Sequence, residues 1–438
     1  MKLAIKGGKP VRTKLFPAQR LIGSEEKKAV MEVLDSGVLS RFLGSWHADF
    51  YGGPQVQALE NEWAAYFGVK HAIAVNSCTS GLYCAVGATG VEPGEEIIVS
   101  PYTMCASATA PLIFNAIPVF ADIEEDFYCL ATKAIEGRIT SRTRAIIVVD
   151  IFGLPYDVNG INAIAKRNGL VVIEDAAQAI GATYRDCFAG ALADIGVYSL
   201  NYHKHIHCGE GGVVVTNNDD FAEKVRLIRN HAEAVVEKKN EKNLVNMIGF
   251  NFRMTEIEAA IARCQLRKMK KLVERRNANC QNLNERLSKI PAIETTSVRE
   301  GSTHAYYVHP MKFFEDIAGV SRDRFIEAVK AELPATELRE SEGTKLGYGY
   351  CKPLYLQPIF QKRIAYGSKG CPFTKPWYEG TVNYDKGICP VAERMYEKEL
   401  FTHELMHPFM EKKDLDDVVS AFEKVYENRK ELLKRSVR

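Results

Sequence analysis

The chain reads as an α/β protein: a mostly parallel central sheet with helices on both faces, followed by a smaller C-terminal α+β domain. Three observations predict this. Short apolar runs recur through the first half of the chain, and helical patterns fill most of the gaps between them. The runs are continuous in Val, Ile and Ala, which suits strands covered on both faces. After residue 253 the rhythm gives way to a single long helical periodicity. Strand–helix–strand units of this size build a parallel sheet.

Taken in order, Ser24–Ser36 is the first predicted helix. "HAIAV" (71–75) is the first strand and turns at Asn76-Ser77 into the helical "TSGLYCAVGATG". "EIIVS" (96–100) follows, then "MCASATAPLIFN". "PVFAD" (118–122), "AIIVVD" (145–150) and "LVVIED" (170–175) continue the series, with "VNGINAIAKRNG" (158–169) as a helix between the last two. "IGVYSL" (195–200) and "GGVVVT" (211–216) are close enough to pair antiparallel. Residues 254–290 carry helical periodicity, capped by Thr255 or Asn251. The chain then divides into an N-terminal arm with a large domain (1–253), a bridging helix (254–290) and a small C-terminal domain (291–438). Within the last, 351–390 is rich in Pro, Gly and aromatics. Compact domains rarely carry so long a loop without a use for it.

Composition narrows the class. The 438 residues are 26% charged and 46% hydrophobic with a net charge of +2, ordinary for a soluble globular protein. The basic tail, Arg429 to Arg438, reads as a solvated helix end, so no nucleic-acid partner is expected. No apolar run approaches the ~20 residues of a membrane span, and Met1 begins no signal peptide. The eleven cysteines form no C-x-x-C pair, which fits reduced thiols in a cytoplasm.

Ligands of open parallel sheets sit at the carboxyl ends of the strands. After "HAIAV" stand Ser77, Thr79 and Ser80, at a turn into a helix. Such a turn can cradle a phosphate on backbone N–H groups and small hydroxyls, or serve only as a helix cap. After "LVVIE" stand Asp175 and Gln178. A carboxylate at the end of a buried strand needs a cation or a capping role. After "IGVY" stand Ser199 and, five residues on, Lys204. Phosphate donors, a carboxylate and an imine-forming amine together match what pyridoxal phosphate requires. His203, His205, His207 and Cys208 crowd around Lys204, but alternating residues of an extended stretch lie ~7 Å apart, too far to converge on one ion. No metal is expected.

Three separated stretches, "EDAAQAIGA" (174–182), "SLNYHKHIHCGEGG" (199–212) and "GFNFRM" (249–254), resemble in order and spacing the DegT/DnrJ/StrS family of sugar aminotransferases. "CPVAERM" (389–395) and "HPFMEKKDLDDVVSAFEKV" (407–425) resemble the family's ending. The resemblance implies the type I fold of pyridoxal 5'-phosphate (PLP)-dependent aminotransferases. It implies that Lys204 forms the Schiff base and shuttles protons, that Asp175 pairs with the pyridine nitrogen, and that Gln178 meets the cofactor's 3-oxygen. Thr79, Ser80 and Ser199 fall at phosphate positions. Asn251 matches a residue that reaches the phosphate of the neighbouring subunit, implying a homodimer with shared sites. Two positions depart from the pattern. Met104 in "YTMCAS" stands where the family stacks an aromatic ring on the cofactor, a place a thioether can also fill. Ile180 replaces the usual His. Some relatives carry His in place of the lysine and deoxygenate their substrate; here the motif places Lys204 at the cofactor.

The implied reaction moves an amino group from glutamate or glutamine to a keto-sugar. The acceptor is a nucleotide-linked ketosugar, a free keto-sugar acid or an inosose. "LAIKGGKPVR" (3–12) and the loop 351–390 look more like the last two groups. Lys362, Arg363, Lys375 and Trp377 could meet an acceptor's carboxylate or phosphate, or form a solvated surface. Two alternatives stand beside this: a PLP-dependent sugar dehydratase or lyase, and a non-catalytic sensor on the same scaffold.

Overall fold

The computed structural model describes residues 2–433; Met1 and the end of the basic tail, 434–438, lie outside the described residues. The central sheet has seven strands: β1 (His71–Val75), β2 (Glu96–Val99), β3 (Ile117–Phe120), β4 (Thr143–Val149), β5 (Val171–Asp175), β6 (Ile195–Ser199) and β7 (Gly212–Thr216). Their spatial order is β1-β7-β6-β5-β4-β2-β3. β7 is antiparallel to both its neighbours, and the pairs from β6 across to β3 are parallel. Every predicted strand is present, and β6 and β7 form the expected antiparallel pair. The register sets Val75 and Ser199 opposite Gly212, and Asp175 opposite Val197. Three carboxyl ends thus meet at one edge of the sheet.

Helices α2 (Pro54–Phe67), α3 (Cys78–Ala88), α4 (Ala106–Ile113), α5 (Val158–Asn168), α6 (Asp219–Arg229) and the long α7 (Glu256–Leu287) cover the sheet, and α1 (Ser24–Ser36) packs on α7. α1 occupies the predicted span, and its start is closed by Glu26, whose carboxylate accepts from the Gly23 N–H at 2.8 Å. Thr255, not Asn251, caps α7, in a reciprocal box with Glu258. The first half of α7 packs Ala262, Leu266 and Met269 against α2 and β7. Its second half sends Cys280, Leu283 and Leu287 into a second core.

That second core belongs to an antiparallel sheet of β8 (Ile293–Glu294), β9 (His309–Phe313), β10 (Leu346–Tyr348) and β11 (Leu400–His403), in the order β8-β9-β11-β10. Helices α8 (Arg322–Glu332) and α9 (Lys412–Glu427) cover it. Two segments pack away from their sequence neighbours. The N-terminal arm buries Leu3 and Phe16 in the C-terminal core and ties Arg12 to Asp414 at 2.6 Å. The stretch 351–390 lies on the large sheet instead. Phe360, Tyr355 and Tyr384 pack around Phe120 of β3, and the Tyr384 hydroxyl donates to the Pro118 carbonyl at 2.7 Å. The loop thereby covers an edge strand that would otherwise offer unpaired backbone groups.

Candidate active site

The turn after β1 is built by capping. Ser77 accepts the Ser80 N–H at 3.0 Å and so starts α3. The Ser80 hydroxyl is buried between Asn76 Oδ1 (2.6 Å) and Ser77 Oγ (2.8 Å). It serves the turn, and Ser80 does not line the cavity beside it. A Cβ on Gly212 would sit 2.7 Å from the Cys78 nitrogen and from the Ser77 carbonyl carbon. Glycine at this position is what lets β7 run close under the first turn of α3. The N–H groups of that turn have no partners within their own helix.

Asp175 ends β5 and is buried. Its Oδ2 accepts from the Ser107 hydroxyl at 2.7 Å and its Oδ1 from the Ala177 N–H at 3.2 Å. Burial pushes its carboxyl above the ordinary range, while Ser107, Ala177 and the charge of Lys204 pull the other way. Gln178 is fixed at both ends of its amide: Oε1 accepts the Phe152 N–H at 2.7 Å, and Nε2 donates to the Tyr350 hydroxyl at 2.9 Å. Ser199 ends β6, with its hydroxyl accepting from the Asn201 N–H at 3.3 Å. Lys204 places its ammonium 4.0 Å from the centroid of the Tyr307 ring.

These side chains surround one cavity of about 420 Å³ at the carboxyl edge of the sheet. Thr79, Met104, Asp175, Gln178, Ser199 and Lys204 all line it. Met104 is 58% exposed, and its sulfur accepts the Ala106 N–H at 3.2 Å, beside the start of α4. Asn251 stands apart. It is exposed, its Oδ1 accepts from Arg253 Nε at 2.8 Å, and it is not on the cavity wall of its own chain. Ile180 is buried in the core.

Residues 201–209 form turns rather than a strand, so the alternation argument does not apply to the histidines. Each has its own partner: His203 Nδ1 meets Arg339 Nη2 at 2.9 Å, His205 Nε2 meets the Ala305 carbonyl at 2.8 Å, and His207 Nδ1 accepts the Gly209 N–H at 3.4 Å. Among the described residues no cluster of three His, Cys, Asp or Glu side chains could hold a metal ion. The loop residues Lys362, Arg363, Lys375 and Trp377 do not line the cavity. Arg363 donates to the Val382 carbonyl at 3.0 Å, and Trp377 packs its carbonyl over Gly94, at the amino end of β2, away from the cavity.

Ser107, Tyr307 and Tyr350 escape a reading by motif. Ser107 is inside "YTMCAS", but its bond to Asp175 needs the sheet to form first. The two tyrosines come from the C-terminal half, about a hundred residues or more beyond their partners, and no local pattern marks them.

Residues 21–385 match the DegT/DnrJ/EryC1/StrS aminotransferase family. The spore coat polysaccharide biosynthesis protein SpsC of Bacillus subtilis is 31% identical over 92% of this chain and 94% of its own. The X-ray structure of an aminotransferase from Psychrobacter cryohalolentis superposes with a TM-score of 0.77 at 28% identity, over 95% of this chain and 99% of that one. DesV of S. venezuelae, solved in complex with a ketimine intermediate, superposes with a TM-score of 0.75 at 27% identity, over 92% of this chain and 95% of its own. The chain belongs to the DegT/DnrJ/EryC1/StrS family. It is a PLP-dependent aminotransferase with the type I fold.

Proposed function

We propose that this aminotransferase moves an amino group from glutamate or glutamine to a keto-sugar in amino-sugar synthesis, in the cytoplasm, as a homodimer with shared sites. The observation that carries the reading is the meeting of Lys204, Asp175 and Ser199 with the first turn of α3 in one cavity. The residues fit PLP. Lys204 supplies the amine and Asp175 a buried carboxylate for the ring nitrogen; Thr79, Ser199 and the α3 N–H groups suit the phosphate. When bound, the cofactor supplies an electron sink for the substrate carbon's bonding pair.

The chain's own groups do the rest. Lys204, half-buried against the Tyr307 ring, accepts and returns the proton at the substrate carbon in each half of the exchange. Ser107 and Ala177 hold the Asp175 carboxylate in one orientation. Phe152 and Tyr350 hold the Gln178 amide toward the cavity's inner wall. Asn251 reaches outward beside the exposed apolar residues Leu244, Val245 and Ile248, a face suited to a second copy of the chain. The name of SpsC, a polysaccharide biosynthesis protein, favours a sugar acceptor. The retained Lys204 argues against a dehydratase, and the meeting of Lys204 with Asp175 and Ser199 in one cavity against a sensor.

The test is spectroscopic. Purified protein should be yellow, borohydride should attach the cofactor to Lys204 in peptide mapping, and glutamate should bleach the colour until a keto-sugar restores it. Lys204→Ala should lose turnover by several orders of magnitude, because amine and proton shuttle go together. A colourless protein, or a label on another lysine, would refute the assignment.

A further inference from the structure

His203 directly precedes Lys204 and lines the same cavity. Its Nδ1 lies 2.9 Å from Nη2 of Arg339, a residue of the C-terminal half. A guanidinium is always protonated and can only donate. The lone pair must therefore be on Nδ1, and the ring's proton on Nε2. Arg339 cannot swing away, because Glu342 accepts from its Nε at 2.8 Å and its Nη2 at 2.9 Å, and Glu404 accepts from its Nη1 at 2.8 Å. Lys345 joins Glu342 on the far side. The Tyr202 ring lies 3.7 Å from the imidazole, centroid to centroid, and limits its rotation. Burial, and next the charge of Arg339, hold the imidazole's pKa below its ordinary value against the pull of Glu404 and Glu342, so the ring stays neutral. Nε2 makes no hydrogen bond to any described residue.

The wall around it is short of positive charge. Among the described residues lining the cavity, Lys204 is the one cation, and Glu210 is an acid on the same wall. The charge of Arg339 is neutralised by two carboxylates. The neutral His203 ring itself offers a single N–H and no charge. A hydroxyl or carbonyl oxygen needs only one N–H donor.

Resting on the aminotransferase reading above, we infer that His203 is a specificity-determining residue: its Nε2–H, fixed by Arg339, donates to an uncharged oxygen next to the ketone of the acceptor. The acceptor is on this account a ketone that carries a hydroxyl or carbonyl oxygen beside its reacting carbon.

Four acceptors test it: dTDP-4-keto-6-deoxyglucose and its 3-deoxy counterpart, scyllo-inosose and its 2-deoxy counterpart. Glutamate first converts the holoenzyme, and each ketone is then titrated against the recovery of colour. The parent should prefer the hydroxylated member of a pair by about tenfold in KM, the scale of one neutral hydrogen bond. His203→Phe should erase that preference, and the acceptor half-reaction should lose more than the glutamate half-reaction does; His203→Gln, which keeps a donor, should restore part of it. An unchanged preference in His203→Phe overturns the inference, as does an equal loss in both half-reactions, which would mark a role in placing Lys204. Long-range ¹H–¹⁵N spectra of the histidine-labelled holoenzyme judge it without turnover. A protonated Nε2 with a bare Nδ1 near neutral pH supports it, and a proton on Nδ1 overturns it. Failure of both glutamate and glutamine to bleach the parent refutes the aminotransferase reading alone, and the tautomer then decides for His203.

Discussion

Asp175 shows how one buried residue ties cofactor to stability. Its carboxyl is raised by burial, and the largest opposing pull is a neutral hydroxyl, Ser107. For an acid raised in the folded state, the stabilising contribution is present at low pH and fades as pH climbs through the folded value. At neutral pH the apoprotein therefore bears the cost of an under-compensated buried carboxylate. Asp175→Asn should melt higher than the parent as apoprotein at neutral pH, with the gap closing as the pH falls into the carboxylate range. With PLP bound the order should reverse, since the parent's carboxylate then faces a protonated ring nitrogen. The glutamate half-reaction of the variant should fall about a hundredfold or more, far beyond its loss of cofactor affinity. Equal half-reaction rates would reduce Asp175 to a turn residue that holds the Ala177 N–H. Lys204 and Asp175 were legible because each follows a buried strand and carries chemistry that a core residue lacks. Arg339 and Tyr350 were not, because they act only through partners more than a hundred residues away.

Elements position these groups, and the glycine at the head of β7 is one instance. Gly212 is paired with both Val75 and Ser199 and lies under the backbone of Ser77 and Cys78. Gly212→Ala must push the first turn of α3 away from the sheet, because the added carbon meets backbone rather than a flexible side chain. Cofactor affinity should drop at least about tenfold, read by dialysis against free PLP, while the thermal midpoint moves by only a few degrees. The seven strands of the central sheet were legible to within a residue or two, because runs of Val and Ile buried on both faces admit few alternatives; the four strands of the C-terminal sheet were not assigned. The destination of 351–390 was not, since aromatics in an irregular stretch show that it packs but not where. Phe360→Ala tests the place the structure gives it. Removing that ring from beside Phe120 and Tyr384 should cost about 3 kcal/mol in urea unfolding and leave the glutamate half-reaction unchanged.

At the scale of the whole molecule, one chain leaves its site short of positive charge. Lys204 is the one cation on the cavity wall among the described residues, whereas glutamate and a cofactor phosphate both carry negative charge. Asn251 and Arg253 point out of their own chain's site, hydrogen-bonded to each other at 2.8 Å on an exposed segment. Ile248, three residues earlier, is 75% exposed, and Leu244 is 60% exposed. Such a face is explained if a second chain covers it and receives Asn251 into its phosphate site, with an interface above ~2,000 Å² as in obligate dimers. Complementation decides between shared and self-contained sites. Lys204→Ala chains should be inactive, and Asn251→Asp chains should bind PLP weakly, because a carboxylate then faces the phosphate. In a hybrid dimer with shared sites, one site carries both lesions and the other carries neither. Mixing the two inactive proteins should therefore return activity, approaching one intact site per hybrid dimer. If subunit exchange is shown by mass and no activity returns, each chain completes its own site, and the exposed Asn251 must serve some other contact.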